Sequence, residues 1–365
     1  MINVRNATHL DNDALCSLCE HPMQGSIGIA MERKPNFFAG SDVQCEKSEV
    51  FVVYNDQTND ILGVFSIGTR SVWLDGNITH IRYFSDLRLK DGSQRAQSLF
   101  AMCNYIASSG FLEGTVAQTV VFDENTGMNK VIELLNRRAL KHNIFQYYKH
   151  GSFFSHMVHV TSKPIAIKHN YTIQRACQKD ITELQHYLEK EGPNHPFFPF
   201  FHFEEMGSAY NRGLTIENFY IARINQEIKG IMAYWNQSEY KQTRIKSYAK
   251  SIQIARPFVN TFAKLFGGFS LPKVGETMNY ASLHCVLIEE QNPVVFTALI
   301  NAILLDLRKL PYQYLLCGLP SEHPFQSILE KFNKTRTIKG NCYLIGNETP
   351  TQIANPNFYL ELGRI

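Results

Sequence analysis

Three short stretches gather the residue types that can do chemistry. CSLCEH brings Cys16, Cys19 and His21 together. Thiolates and an imidazole so close can hold a metal or exchange disulfides, but a structural zinc site takes four ligands and no second C-x-x-C follows. On a helix, positions i and i+3 share a face, so the expectation is two thiols packed as small apolar groups. HGSFFSHMVH carries His150, His156 and His159. Strand alternation sends the last two to opposite faces, which argues against a shared metal. HPFFPFFHF, residues 195–203, sets five phenylalanines among prolines and histidines. Such a run suits the wall of an apolar pocket, and equally a core or a contact between two halves of the chain. No metal is expected.

The elements that must position these residues are those of a two-part globular protein. A chain of 365 residues is long for one domain and sufficient for two, each with its own core. Hydrophobic residues make up 44% and charged residues 19%, which excludes a disordered chain. A net charge of +3 is too small for a footprint on nucleic acid or anionic lipid. No apolar run reaches the length of a bilayer span, and MINVRNATHLDND is no signal peptide. The expectation is a cytoplasmic protein with neither nucleic acid nor membrane as partner. The scattered cysteines fit reduced thiols rather than a disulfide framework.

The chain repeats itself. VRNATHLDNDALCSL returns as TIQRACQKDITELQHYL, with Ala7 matching Ala176, Asp11 matching Asp180 and Leu15 matching Leu184 at one offset of 169 residues. In each copy a short strand leads through a polar turn into a helical period that Asp11 or Asp13 can cap. EVFVVYNDQTNDILGVFSI and FYIARINQEIKGIMAYW both read as hairpins; Phe51 and Tyr220 keep the offset, while Gly63 and Gly230 are 167 apart. Further strands follow at HIRYFSDLRL and NYASLHCVLI, then at VAQTVVF and YQYLLCGL. This order predicts an α/β (α+β) protein of two related domains, each a mixed central sheet flanked by helices. The halves are expected at 1–165 and 166–365, meeting near residues 161–170. The second carries a helical insertion near 239–278, helical until Pro257, with a solvated basic face.

These residues resemble the GNAT superfamily, the Gcn-related N-acetyltransferases, over nearly the whole chain as two copies. VRNATHLDNDALCSL is similar to the family's opening strand and helix, and SDLRLKDGSQRAQSLF to its central strand and following loop. ERKPNFF, YFSDLRL, YWNQSEYKQ and ARPFVN also look like an uncharacterised bacterial group of tandem members. The resemblance implies acyl transfer from acetyl-CoA or another acyl-CoA, as co-substrate, to an amine on a small molecule or peptide. In the family the pyrophosphate sits at a helix N-terminus in a loop patterned Q/R-x-x-G-x-G/A. This sequence departs from that pattern. Read from Gln94, QRAQSL puts Gln97 and Leu99 at the small positions; read from Arg95, RAQSLF offers Ser98 and then Phe100. Arg95 still offers charge to phosphate. In the second half EEQNPVVFTALI has two carboxylates, a proline and no glycine, so the cofactor is expected in the first half only. Its site is assigned to Leu87, Arg88 and Leu89 on the strand and Gln94, Arg95, Ala96, Gln97 and Ser98 at the helix start.

The same resemblance nominates catalytic residues. The family's base is usually a carboxylate or histidine on or beside the central strand, which selects Asp86, with His284 at its equivalent position 198 residues later. The plainer alternative is that Asp86 satisfies backbone or Arg88 and that His284 is a core residue. The family's tyrosine acid has no counterpart in NKVIELLNRR or PFQSILEKF, leaving Tyr83 or solvent to return the proton. Two main functions follow: an acyl-CoA-dependent N-acyltransferase, or a binding or scaffold protein that has lost the chemistry. A transferase using aminoacyl-tRNA is a third, against which the small net charge counts.

Overall fold

The computed structural model describes residues 1–23, 25–142, 145–266, 270–354 and 358–365. The first half runs β1 (Ile2–Asn6), α1 (Asn12–Cys19), β2 (Ile27–Glu32), α2 (Phe37–Asp42), β3 (Lys47–Asn55), β4 (Ile61–Leu74), β5 (Asn77–Leu89), α3 (Arg95–Ser108), β6 (Ala117–Phe122), α4 (Thr126–His142) and β7 (Gln146–His159). The second runs β8 (Thr172–Arg175), α5 (Ile181–Glu191), β9 (Phe219–Ile224), β10 (Glu227–Trp235), β11 (Gln242–Tyr248), α6 (Lys250–Phe266), β12 (Tyr280–Ile288), α7 (Pro293–Leu307), β13 (Tyr314–Pro320), α8 (Gln326–Leu329) and β14 (Thr335–Gly346). Among the described residues no helix is long and apolar enough to cross a membrane.

The repeat read from the sequence is a repeat in space. Asp11 does not cap α1 with its side chain as the sequence predicts, but closes the turn before it: its carboxylate accepts from the Thr8 N–H at 2.7 Å and from Arg5 at 2.8 Å. Asp180 does the same with the Cys177 N–H at 2.9 Å and lies 3.3 Å from Arg223. Gly63 faces Leu89 across β4–β5, and Gly230 faces Ile288 across β10–β12. A Cβ at Gly63 would come within 2.5 Å of Leu89, and one at Gly230 within 2.6 Å of Val295, so both positions need the missing side chain.

Both halves are mixed sheets with helices on their faces, as the element order predicts, but they are one sheet. Twelve strands run in the order β1-β3-β4-β5-β6-β14-β7-β13-β12-β10-β9-β8. Its parallel neighbours are β5–β6 and β12–β13. The order reads the same from either end, with the last strand of each half exchanged across the middle. β14 lies between β6 and β7, and β7 lies between β14 and β13. Each half therefore borrows a strand to satisfy backbone groups that its own strands leave open.

The insertion differs from its prediction. QTRIKSY is not helical: it forms β11, which pairs antiparallel with β2 of the first half in a separate two-stranded sheet. α6 begins only at Lys250 and runs through Pro257, where a break was expected. The helical spacing of the apolar residues outweighs one missing N–H on a solvent-exposed turn. Residues 267–269 of the insertion lie outside the described residues.

The chemistry-bearing stretches resolve mostly into core. Cys16 and Cys19 pack beside Leu15, Leu18 and Phe37, as helical spacing suggests. His156 is fully buried, bonded to Gln326 and to Thr337 Oγ1 at 3.1 Å. His159 is half-buried and bonded to Thr161. Phe198, Phe201 and Phe203 fill the core under α5, and Phe197 packs with Phe358 in the middle of the sheet. Their backbone runs along the end of β4, with Trp73 N–H donating to the Phe198 carbonyl at 2.9 Å and Phe200 N–H to that of Ser71 at 2.8 Å. The phenylalanine run is thus a contact between the halves.

Candidate active site

In each half the parallel pair separates after a few residues, and the reason is local. β5 and β6 pair at Arg82–Ala117 and Tyr83–Gln118. Beyond that point Asp86 adopts a left-handed conformation (φ 54°), inserting a bulge opposite Phe65 that bends β5 away. β12 and β13 pair from Tyr280 to Ser282, and Cys285 makes the matching bulge (φ 52°) opposite Met232. Ser85 faces Ser66 as His284 faces Ala233. This corrects one correspondence: the partner of Asp86 is Cys285, and His284 stands where the first half has Ser85.

The second splay is filled by the chain's own C-terminal segment. Cys285 N–H donates to Glu361 Oε2 at 3.1 Å and Val286 N–H to the Tyr359 hydroxyl at 3.0 Å. A Cβ on Gly318 of β13 would meet Leu362 at 2.5 Å, so the segment lies directly on the strand. His284 is wholly buried against Phe201, Phe219 and Trp235. Its Nδ1 lies 2.9 Å from Glu361 Oε2, and burial holds its pKa below the ordinary imidazole value. It is a core histidine. Cys285 is equally buried, which pushes its thiol far up. The helix behind this splay is closed too, because the Asn292 side chain accepts from the N–H groups of Val294 at 2.9 Å and Val295 at 3.3 Å.

The first splay is built differently. Among the described hydrogen bonds, no C-terminal residue reaches the amides of Asp86 and Leu87. Across the gap Thr119 Oγ1 donates to the Phe84 carbonyl at 2.8 Å. Leu87, Leu89 and Leu99 pack only partly against the core beneath. α3 starts without a side-chain cap at Gln94, so the amides of its first turn meet no carboxamide like that of Asn292. Arg95, Ala96 and Gln97 are exposed there, Arg95 is paired with Asp91, and Ser98 points inward. Oriented donors and a cation at a helix start fit a pyrophosphate, while Asp91 competes for that cation.

The Asp86 carboxylate does not project free into this gap. It forms a buried ion pair with Arg33, from the loop after β2, at 2.7 Å. Burial works to raise its pKa, but Arg33, with Arg88 and Lys241 beyond, holds it below the ordinary carboxylate value. The bland alternative named Arg88 as its partner; the structure supplies Arg33, fifty-three positions away. Tyr83 is buried under Arg70, whose guanidinium carbon stands 3.3 Å from the ring centre, and its hydroxyl is pushed up to about 12. It lies off the cavity described next.

That cavity opens between the central strands and the small β2–β11 sheet, with a volume of about 180 Å³. Met23, Met31, Met157 and Met278 line it with Ile27, Ile29, Leu316 and Ile338. Its charged wall is Glu32, Arg33, Glu124 and Lys241. Lys241 is the residue that sequence reasoning missed. It is half-buried, its Nζ donates to the carbonyls of Gly363 at 3.1 Å and Ile365 at 2.5 Å, and desolvation beside Arg33 drives its pKa well below the usual lysine value. YWNQSEYKQ contains it, yet nothing in that string separates it from the surface lysines nearby.

No family model matches this sequence, and no curated protein matches it. Solved structures do. A GCN5-related N-acetyltransferase from Sphaerobacter thermophilus matches with a TM-score of 0.56 at 9% identity, covering 99% of this chain and 98% of its own. Saccharomyces cerevisiae N-myristoyltransferase with bound myristoyl-CoA matches with a TM-score of 0.58 at 10% identity, covering 96% and 83%. A GCN5-related N-acetyltransferase from Anabaena variabilis gives 0.51 at 10%, covering 94% and 72%. At such identities the likeness is one of fold: this chain is built as GNAT-fold proteins are, over nearly its full length.

Proposed function

We propose that the protein is an acyl-CoA-dependent N-acyltransferase whose cofactor site lies in the first half. The observation that carries this reading is the contrast between the splays: one is closed by Glu361, Tyr359 and Asn292, the other lacks those plugs, and Arg33, the partner of its Asp86, lines an apolar cavity. A bound acyl-CoA would supply the activated thioester carbonyl. Leu87, Arg88 and Leu89 offer strand backbone to its amide groups, and the start of α3 with Arg95 offers donors to its phosphates.

The methionine-lined cavity suits an apolar acyl chain or an apolar acceptor better than acetyl and a polar amine. Asp86 anchors Arg33 at the cavity wall. Lys241 is the group placed to take the proton of an acceptor ammonium. Its Nζ is held by the carbonyls of Gly363 and Ile365, and burial that disfavours the ammonium favours the neutral amine, the form that can accept a proton.

The test is calorimetric titration with acetyl-CoA and a long-chain acyl-CoA, followed by turnover with a panel of amines. Gln97 and Ser98 add Cβ atoms where the family has small residues, so acetyl-CoA is expected to bind weakly. Each charge-assisted hydrogen bond lost there costs about 1.5–3 kcal/mol, roughly tenfold or more in affinity. The long-chain ester should bind more tightly, and Lys241→Met should abolish turnover while leaving binding intact. Sub-micromolar acetyl-CoA binding would overturn the loop argument. The locked Asp86–Arg33 pair favours a second reading, a non-catalytic acyl-CoA-binding protein; tight binding with no turnover on any amine would select it.

A further inference from the structure

α6 carries more apolar surface toward water than toward the protein. It touches the body along one line, 252, 256 and 260, four residues apart. Ile252 packs beside Ile245 and Tyr248, the Arg256 guanidinium donates to the Leu271 and Pro272 carbonyls, and Asn260 exchanges hydrogen bonds with Leu271. At 100° per residue, Ile254, Phe258, Phe262 and Leu265 fall on the diametrically opposite side. They are 72%, 76%, 65% and 70% exposed. Val274, in the loop behind, adds another exposed apolar side chain. A contiguous line of large apolar side chains on a monomer's outer surface marks a contact.

Charge says with what. Between Glu239 and Glu276 the chain has seven lysines and arginines and no acidic residue, although the whole protein is only +3. Arg244 and Lys246 spend their charge on Glu32, and Lys241 lines the cavity. That leaves Lys250 on the exposed side of α6, Arg256 on its body side and Lys273 in the loop behind. Lys250 stands on the apolar line itself, one turn before Ile254. An exposed apolar stripe on a helix that carries cations and no acidic residue is the composition of a helix that lies in a lipid interface, held by apolar burial and by attraction to anionic headgroups. An acidic protein partner would supply the charge, but nothing here matches it with a groove; a second copy of this stripe would set the cations of α6 against each other.

We propose that α6 docks the protein on an anionic lipid surface, its apolar line immersed at the level of the headgroups. The small sheet beneath α6 lines the mouth of the cavity through Ile27, Ile29 and Thr243, so docking brings that mouth near the lipid. The docking argument itself is independent of the acyltransferase reading.

Co-sedimentation of the full chain with phosphatidylcholine vesicles, and with equal parts phosphatidylcholine and phosphatidylglycerol, tests it. Binding to the mixed vesicles only, weakened by salt, is expected. Phe258→Glu should reduce partitioning about tenfold or more, and Lys250→Glu by a smaller factor, with thermal unfolding unchanged because both side chains are exposed. Failure to pellet with either vesicle overturns the proposal, as does binding that Phe258→Glu leaves intact. Light scattering that finds wild-type dimers and a monomeric Phe258→Glu variant also overturns it, since a second copy would then cover the stripe.

Discussion

In β5 the residue at the left-handed bulge is a carboxylate, Asp86; in β12 it is a thiol, Cys285. The backbone does the same thing twice, parting a parallel pair and presenting amides to the gap. What occupies each gap differs. In the second half Glu361 and Tyr359 take those amides, Asn292 takes the helix N–H groups, and His284 is walled in by aromatics. In the first half these closures are missing and the carboxylate is bound instead to Arg33 beside a cavity. A duplicated fold thus keeps its shape by the same bulge while one copy fills its own gap. The other copy is the one to which the acyl-CoA site is proposed to belong.

The comparison can be broken most severely at the ion pair. Asp86→Ala leaves the buried Arg33 guanidinium without its counter-charge and should lower stability by about 3–5 kcal/mol in denaturant unfolding. The double change Asp86→Asn with Arg33→Met should recover most of that loss; if both variants lose equally, the pair is not the cause. Glu361→Ala attacks the other splay, stripping acceptors from Cys285 N–H and the Tyr359 hydroxyl. A loss of about 1–3 kcal/mol is expected, with acyl-CoA affinity unaffected. Gain of a second binding site in that variant would show that the plug alone separates the copies.

Acid sharpens the contrast. The folded pKa of Asp86 lies below its unfolded value of about 3.9, so its contribution is present above that pH and disappears as pH falls through the folded value. The double variant should therefore show a flatter acid limb below about pH 4 than the wild type, whereas His284→Gln should leave that limb as it is. Removing the α7 cap with Asn292→Ala should cost about 1 kcal/mol. Arg95→Ala, on an exposed pair, should leave the unfolding curve unmoved and weaken only the binding of coenzyme A and its esters; equal loss for acyl-pantetheine, which lacks the pyrophosphate, would remove Arg95 from the phosphate site.

Much of the architecture was readable because it rests on local rules repeated. Asp11 and Asp180 close the turns that lead into their helices, Gly63 and Gly230 sit where strands press together, and the hairpins follow their turn residues. The exchange of β7 and β14 was not readable, since strand alternation is the same whichever neighbour a strand finds. QTRIKSY misled because a short mixed segment beside a true helix inherits its apparent period. Of the nominated site residues, Asp86 is at the bulge as the family resemblance implies, but the partner that fixes its charge is far away in sequence. Tyr83 and His284 are core groups, a matter of burial that their types do not reveal. Lys241 was overlooked for the same reason: a lysine's surroundings, not its neighbours in the string, decide whether it is charged.

The strand exchange also sets a timetable for the nascent chain. β6 ends at Phe122, yet its neighbour in the finished sheet begins at Thr335. While the first half emerges from the ribosome, one side of β6 and both sides of β7 wait with open backbone groups for strands that begin at Tyr314 and Thr335. The first 160 residues expressed alone keep that exposed edge, a template for pairing with other chains. Synthesis must pass Gly346 before the sheet can close, and the long-range pairing that closes it makes folding slow and cooperative across both halves.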